Sequence, residues 1–452
     1  MTRLHFASAL LPSGWANDVQ VVITAGAIAA VTADVPPAAG DERHAIALPG
    51  LASLHSHAFQ RGMAGLAEQR GDSTDTFWTW RETMYRFALA MTPDDVVSVA
   101  TLLYVEMLEQ GFTRVGEFHY LHHDRDGSLY ADPAEMAARI AQAAEASGVA
   151  LTLLPSFYAH GSFGGAAPHD GQRRFICSVD QFATLMAASR KAIANLPGAN
   201  IGIAPHSLRA VAPDELTAIV PLAEGGPVHI HAAEQVKEVE DCLAWSGRRP
   251  VQWLLEHAPV DRRWCLIHAT HMTDEEVAGF AKTGAVAGLC PITEASLGDG
   301  IFAAREFLAA GGVFGVGTDS NVLIGVADEL RQLEYGQRLK HRQRNVLSAG
   351  AGRSTGRTLF DHALAGGAQA LGQPNVGLAP GARADIVTLD AAHPSLAGRL
   401  RDDLIDGWIF AAGGAAIDCV WAGGNKVVEG GRHRLRQMAR ERFNATVRRL
   451  VA

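Results

Sequence analysis

Residues 46–62 decide the fold: Ile46-Ala-Leu-Pro-Gly-Leu-Ala-Ser-Leu-His-Ser-His-Ala-Phe-Gln-Arg-Gly62. The apolar run in this stretch ends in His55-Ser56-His57. On a β-strand, residues two apart point to the same side, so both imidazoles are expected on one face. Two neutral imidazoles side by side supply half of a zinc site, which needs further ligands from elsewhere. Taken alone, the pair is more often core packing, since histidine is commonly part-buried without a metal.

From Leu48 onward, short apolar runs alternate with longer amphipathic segments, as in repeated βα units. There are eight such runs, and their last residues are His57, Tyr120, Ser156, His206, His231, His268, Cys290 and Asp319. Helices are predicted between the runs, for example over 133–147 and 178–195. Eight parallel strands that alternate with helices predict a (β/α)8 barrel of the TIM type. A doubly wound sheet is the alternative, but no Gly-x-Gly-x-x-Gly follows the first run.

The two ends of the chain share a different pattern, with short strand-like stretches broken by glycine and alanine. We therefore predict an α/β protein with a metal-dependent barrel over 49–374. A small β-sandwich domain, built from 1–48 and 375–452, is expected to flank the barrel. Its C-terminal part includes a basic surface helix near 435–450.

Polar residues stand at the carboxyl ends of five predicted strands: His57, His206, His231, His268 and Asp319. In a barrel these ends converge at one mouth, where active sites are built. Five such groups from five strands are hard to explain as core packing, because polar groups are rarely buried unpaired. The pattern predicts a catalytic centre at the barrel mouth.

Four groups would complete a metal site: His55, His57, His231 and Asp319. Three imidazoles and one carboxylate suit Zn²⁺, or Fe²⁺ as the alternative, and the ion would lower the pKa of a bound water toward about 7. A two-metal site commonly needs a bridging carboxylated lysine, and no predicted strand ends in lysine. One metal per chain is therefore predicted, with Asp319 both ligand and catalytic group.

Two further residues are candidates for proton transfer and charge stabilisation. Glu234 follows His231 by three residues and would carry a proton from the water to the leaving group. The alternative for Glu234 is an exposed acid at a helix start, favoured by the helix dipole. His268 would hydrogen-bond the hydroxide or the charge that develops on the attacked centre.

A long insertion, about 64–90, separates the first two runs and carries Phe77-Trp78-Thr79-Trp80-Arg81. Its aromatic residues have helical spacing. One interpretation is an amphipathic helix that packs on the barrel rim. The other is a lid that also delivers Arg81 to the site, and both stay open.

Composition limits the classes of function. Hydrophobic residues make up 48% of the 452 residues, as in a globular chain with a large core. We expect neither a membrane span nor a secretory signal. Five scattered cysteines without a Cys-x-x-Cys suit reduced thiols in the cytoplasm. The net charge of −9 argues against a nucleic-acid partner, so an anionic substrate would need locally placed arginines.

These motifs resemble the amidohydrolase superfamily: His-x-His after Leu-Pro-Gly, histidines after strands five and six, and an aspartate after strand eight. The segment Gly-x-x-x-Gly-x-x-Ala-Asp that ends at Asp385 is similar to its C-terminal β domain. His-Ala-Ala-Glu, without a bridging lysine, resembles the mononuclear deaminase branch. Leu-His-Ser-His-Ala-Phe-Gln-Arg-Gly and His-Ile-His-Ala-Ala-Glu-Gln are similar to the N-formimino-L-glutamate deiminase family.

The resemblance implies a zinc hydrolase of histidine degradation that converts N-formimino-L-glutamate and water into N-formyl-L-glutamate and ammonia. We also expect a homodimer. By matching motifs, the resemblance implies contacts with a dicarboxylate substrate at Gln60, Arg81, Tyr120, His206 and Arg209. Each of the two arginines could present a planar fork to one carboxylate.

Two other functions stay open at this point. A cytosine- or guanine-type deaminase of the same superfamily would use a flat aromatic slot, which Trp78 and Trp80 could supply. A barrel that lost catalysis would serve only as an assembly subunit, although such a protein has no need of Glu234, His268 and four metal ligands together.

Overall fold

The computed structural model describes residues 1–70 and 75–452, so residues 71–74 of the insertion lie outside the described residues. The strands in chain order are β1 Thr2–Leu11, β2 Gly14–Thr24, β3 Ala27–Thr32, β4 Glu42–Pro49, β5 Leu51–Ser56, β6 Phe112–His119, β7 Ala150–Phe157, β8 Asn200–Ile201, β9 Ala204–Pro205, β10 Val228–Ala232, β11 Trp264–His268, β12 Val286–Leu289, β13 Val313–Val316, β14 Ile386–Leu389, β15 Ile417–Ala422, β16 Asn425–Glu429 and β17 Arg432–His433.

The helices in chain order are α1 Phe77–Ala90, α2 Pro93–Glu109, α3 Glu135–Ser147, α4 Val179–Ile193, α5 Pro213–Ile219, α6 Val236–Ser246, α7 Pro250–His257, α8 Asp274–Thr283, α9 Pro291–Leu297, α10 Ala304–Ala309, α11 Val326–His341, α12 Thr355–Ala370, α13 Asp402–Gly407 and α14 Arg436–Val451. Local sequence explains several starts. Before α2, for example, the Thr92 hydroxyl accepts from the Asp95 amide and the Asp95 carboxylate accepts from the Thr92 amide, a capping box. None of the helices in the described ranges is long and apolar enough to cross a membrane.

Two parallel sheets follow the order of the chain, as right-handed βα units do. The first has the order β5-β6-β7-β8, with β9 also paired to β7, and the second has the order β10-β11-β12-β13. Isolated parallel bridges join the two sheets at both seams: Ser56 with Asp319 on one side, and Ile203 with Val228 and Ser207 with His231 on the other. The predicted α/β class with parallel strands is confirmed.

Two of the predicted strands differ in detail. The fourth run is broken into β8 and β9, since it contains Gly202 and Pro205, which weaken a strand. The eighth strand ends at Val316, three residues before Asp319. Asp319 therefore lies in the turn that follows β13 rather than in the strand itself.

Strands from both ends of the chain form one mixed sheet with the order β17-β16-β15-β14-β4-β1-β2-β3. Apolar side chains on one face make a core of their own, including Phe6, Val21, Ile386 and Trp421. Side chains of the opposite face, such as Leu48, join the main core that the barrel helices share. The division of this domain into the two layers of a sandwich stays a prediction.

The structure divides the apolar run that ends at His57 into two strands at Gly50. Pro49 ends β4, which pairs with β1 and β14, whereas β5 begins at Leu51 and pairs with β6. A Cβ at Gly50 would lie 2.3 Å from the side chain of Thr113, so only glycine lets the chain pass from one sheet to the other there. The predicted domain limits, 48/49 and 374/375, stay a prediction.

Candidate active site

The predicted metal ligands converge at the carboxyl ends of the parallel strands. His55 Nε2 lies 3.2 Å from His231 Nε2. Asp319 Oδ1 lies 3.4 Å from His55 Nε2 and 3.3 Å from His57 Nε2. Three imidazole nitrogens and a carboxylate oxygen, facing one another at these distances, form a donor set that fits one divalent cation.

Hydrogen bonds behind these ligands orient two of the rings. His57 Nδ1 donates to the Phe118 carbonyl at 2.8 Å, and His231 Nδ1 donates to the His206 carbonyl at 2.8 Å. A carbonyl only accepts, so Nδ1 carries the proton and the Nε2 lone pair faces the centre. Burial lowers the pKa of His55 to about 3 and lowers the pKa of His57 and of His231. The rings are therefore neutral, as metal ligation requires.

Asp319 is held in a strained turn. Its φ is +45°, and Asn321 has φ +58°, a region that costs a non-glycine residue of order 1–3 kcal/mol. The Asn321 side-chain amide donates to the His57 carbonyl at 3.1 Å and to the Asp319 carbonyl at 2.8 Å. Asn321 therefore links the backbone of His57, near the start of the barrel sequence, to the backbone of Asp319, near its end.

Glu234 and His268 lie beside this cluster. His268 Nε2 is 3.7 Å from Glu234 Oε1 and 3.7 Å from Asp319 Oδ2. On its other side, His268 Nδ1 donates to Glu294 Oε1 at 3.2 Å. Glu294 Oε1 also accepts from the Cys290 amide at 2.9 Å, so the carboxylate that orients His268 is itself fixed by α9.

The pKa values of these two groups suit proton transfer. Burial raises the pKa of Glu234 to about 7, against the opposing effect of His268 and Arg209. Burial alone would lower the pKa of His268, but the carboxylates of Glu234, Glu294 and Asp319 outweigh it and raise the pKa to about 10. Near neutral pH, Glu234 can therefore both accept and release a proton, while His268 stays a hydrogen-bond donor.

A pocket opens above the cluster. Its lining contains every one of the five predicted substrate contacts, together with several aromatic residues: His57, Gln60, Phe77, Trp80, Arg81, Met84, Tyr85, Tyr120, Tyr158, Phe175, His206, Arg209, His231, Glu234, His268, Leu297 and Asp319. Gln60 Nε2 donates to the Tyr120 hydroxyl at 2.8 Å. Gln60 Oε1 is buried without a partner among the described residues, so a ligand N–H can bind there.

Both predicted arginines reach the pocket and adjoin one indole ring. The guanidinium carbon of Arg81 lies 4.5 Å from the centre of the Trp78 ring, and that of Arg209 lies 5.7 Å from it. Within 1–70 and 75–452, the Nε of each arginine is buried without a hydrogen-bond partner. The nearest acid to Arg209 is Glu234, at 3.9 Å, beyond hydrogen-bonding distance. Two cations, Arg209 buried and Arg81 partly buried, thus line the cavity with an unpaired Nε–H each.

The insertion helix, α1, agrees with the first interpretation of its sequence and with one part of the second, the delivery of Arg81. It packs on the barrel rim through Met84 and Phe87, and it delivers Arg81 to the pocket. Trp80 lines the pocket, whereas Trp78 lies beside the two arginines. Whether α1 moves as a lid stays a prediction.

Sequence reasoning did not find several residues that shape this site. Tyr85 and Tyr158 line the pocket, Glu294 orients His268, and Asn321 joins two strand ends. Glu117, within β6, accepts from the Ala58 amide directly after His57. Polar residues inside or just after predicted barrel strands were the available signal for Glu117, Tyr158 and Asn321. No local pattern distinguishes Glu294.

Comparisons with known proteins place the chain in a family. The model described as "Amidohydrolase family" matches residues 46–427, so the chain belongs to the amidohydrolase family. The model "Formimidoylglutamate deiminase HutF, N-terminal domain" matches residues 1–45. The resemblance drawn from residues 54–62 and 229–235 is thereby confirmed.

Individual proteins that are similar to this chain agree with this family assignment. A formimidoylglutamate deiminase of Pseudomonas aeruginosa is 51% identical over 435 residues, which is 96% of each chain. The crystal structure of an amidohydrolase from Brucella melitensis superposes with a TM-score of 0.97 at 59% identity and covers 100% of both chains. A 5-methylthioadenosine/S-adenosylhomocysteine deaminase of Natronomonas pharaonis is 29% identical, over 86% of this chain and 83% of the relative.

Proposed function

We propose that this protein hydrolyses N-formimino-L-glutamate to N-formyl-L-glutamate and ammonia, as a cytoplasmic enzyme of histidine degradation. The supporting observation is the pair Arg81 and Arg209, which line the pocket beside the ligand cluster with unused donors. This pair occurs in a chain 51% identical to a formimidoylglutamate deiminase. Because the substrate carries two carboxylates, it can supply acceptors for both guanidinium groups.

We assign one Zn²⁺, with Fe²⁺ as the alternative, to His55, His57, His231 and Asp319. The donor set fits the ion, since neutral imidazoles and a carboxylate are the ligands that zinc takes. When bound, the ion supplies Lewis-acid polarisation and makes a water more acidic at neutral pH.

The chain's own residues carry the proton chemistry. Glu234 takes a proton from the attacking water and then the second one from the hydroxyl of the tetrahedral adduct, and it delivers both to the amidine nitrogen, which leaves as ammonia. His268 donates a hydrogen bond toward the charge that develops at the attacked carbon, in the orientation that Glu294 holds. One water is consumed, one carbon–nitrogen bond breaks, and a formyl carbonyl forms.

Binding energy comes from groups around the amidine. Arg81 and Arg209 hold the carboxylates, and the free acceptor Gln60 Oε1 receives an N–H of the substrate. Tyr120, which accepts from Gln60, keeps that amide in place. His206 lines the same wall and completes the polar contacts.

We further propose that the two parallel sheets close into one (β/α)8 barrel, which the bridges at both seams support. The sheet built from both chain ends would then divide into the layers of a small sandwich, and the enzyme would work as a homodimer. Sedimentation of the purified protein tests the dimer, and a monomer at micromolar concentration contradicts it.

The decisive experiment measures ammonia release by the zinc-loaded protein with N-formimino-L-glutamate, cytosine, guanine and adenosine. We expect release from the first substrate alone. Release from a nucleobase instead would favour the nucleobase deaminase alternative, which the aromatic lining of the pocket keeps in view. No release from any substrate at full metal content would indicate a barrel without catalysis.

A further inference from the structure

A buried glutamine outside the predicted site donates hydrogen bonds to two tyrosines that line the pocket. Gln172 lies in a 3₁₀ turn, Asp170–Gln172, between β7 and α4, and its side chain is fully buried. Its Oε1 accepts from the His169 backbone amide at 3.0 Å. A backbone N–H can only donate, so the amide orientation is set, and Nε2 must face the tyrosines.

Gln172 Nε2 donates to both tyrosine hydroxyls, to Tyr158 at 2.7 Å and to Tyr85 at 3.4 Å. Burial, and then the neighbouring Tyr158, raise the pKa of Tyr85 well above its usual value, so this hydroxyl stays protonated.

The Tyr158 oxygen therefore accepts the short hydrogen bond from Gln172. Its single proton is left to donate, and no acceptor for it occurs in the described ranges. Tyr158 lines the pocket, and its ring lies 4.5 Å from the ring of His206. Because each bond in such a chain polarises the next, this hydroxyl is a strong donor.

We propose that Tyr158 donates a hydrogen bond to a carboxylate of the substrate, and that Gln172 acts as the positioning residue that orients this donor. The arrangement rests on the proposed function, since it assumes a carboxylate-bearing substrate. Tyr85 also lies under Arg81, whose guanidinium carbon is 5.4 Å from its ring centre. The tyrosine pair and the arginine thus contribute to one anion-binding wall.

Tyr158→Phe tests the contact because it removes one oxygen and little volume. A hydrogen bond to a charged group is worth roughly a 10- to 100-fold change in kcat/KM. We expect that loss with N-formimino-L-glutamate, mainly through KM, at unchanged metal content. Tyr130→Phe is the matched control, since its hydroxyl bonds Asp124 away from the pocket, and it should keep wild-type kinetics.

Two analogues with one carboxylate each, formiminoglycine and 4-formimidamidobutanoate, identify the contact. With the analogue that keeps the bound carboxylate, Tyr158→Phe should lower kcat/KM as it does with N-formimino-L-glutamate. With the analogue that lacks this carboxylate, kcat/KM of the variant and of the wild type should be about equal. An equal loss of kcat/KM with both analogues, or no loss with N-formimino-L-glutamate, would overturn the inference. The proposed function would still stand in either case if the wild type is active. A wild type that releases no ammonia from N-formimino-L-glutamate refutes the function and the inference with it.

The variant Gln172→Glu tests whether Gln172 orients the Tyr158 hydroxyl or only stabilises the fold. The carboxylate still accepts from the His169 amide but only accepts, so the Tyr158 proton turns toward it and away from the pocket. We expect a loss in kcat/KM like that of Tyr158→Phe, and little additional loss in the double variant. A full extra loss in the double variant would mean that Gln172 acts through the fold and would overturn its positioning role.

Discussion

Replacing Arg209 by methionine should impair substrate binding far more than it impairs folding. The side chain is 9% exposed, and its guanidinium donates no hydrogen bond to any residue within 1–70 or 75–452. A substrate carboxylate can accept two parallel N–H···O bonds from it. At about 1.5–3 kcal/mol for each bond, the loss is about 3–6 kcal/mol, or roughly 10²- to 10⁴-fold in kcat/KM.

The assay follows ammonia release at varied N-formimino-L-glutamate concentration, with metal content and thermal unfolding measured on the same samples. Because the carboxylate is bound before and during the reaction, KM should rise more than kcat falls. Arg190→Met is the matched control. Arg190 bonds the Leu222 carbonyl at 2.7 Å outside the pocket, and the variant should keep wild-type kinetics.

Arg81→Met should show the same pattern, since Arg81 also has unused donors. Formiminoglycine, with one carboxylate fewer, should be a poor substrate of the unchanged enzyme. The dicarboxylate reasoning is refuted if both arginine variants retain wild-type kcat/KM, or if formiminoglycine is processed as well as N-formimino-L-glutamate.

Three further predictions concern the catalytic centre. Metal analysis of the purified protein should find one equivalent of divalent metal per chain, and a chelator should abolish activity; two equivalents at full occupancy would contradict the single-metal model. Glu234→Gln should lower kcat by about 10²- to 10⁴-fold with metal content intact, and near-normal turnover would assign the proton transfer elsewhere. Glu294→Ala should lower kcat with little change in KM, because His268 loses its orienting bond, whereas Glu294→Gln can keep an acceptor at that position and should be milder. Equal effects of the two Glu294 variants on stability alone, with kcat unchanged, would refute the orienting role.

The convergence of the four candidate metal ligands could be predicted because each stands at or just after the end of an apolar run. Parallel strands bring their carboxyl ends together, so residues far apart in sequence meet by rule. The strand limits were less predictable: the run at 46–57 changes sheet at Gly50, and Asp319 lies beyond β13. The first limit depends on the close approach of Gly50 to Thr113, and the second depends on the hydrogen bonds of Asn321. Neither contact is visible in the local sequence pattern.

The sequence alone was enough to predict the α/β class, a candidate ligand set around His55 and His57, and candidate arginines for an anionic substrate. Each of these follows from local periodicity or from residue chemistry at a strand end. The three-dimensional packing was needed to show that Arg81 and Arg209 adjoin one indole ring, that Glu294 orients His268, and that Gln172 donates a hydrogen bond to Tyr158. Hydrogen bonds are short and directional, so their partners depend on how loops from different βα units pack, and no single segment of sequence contains that information.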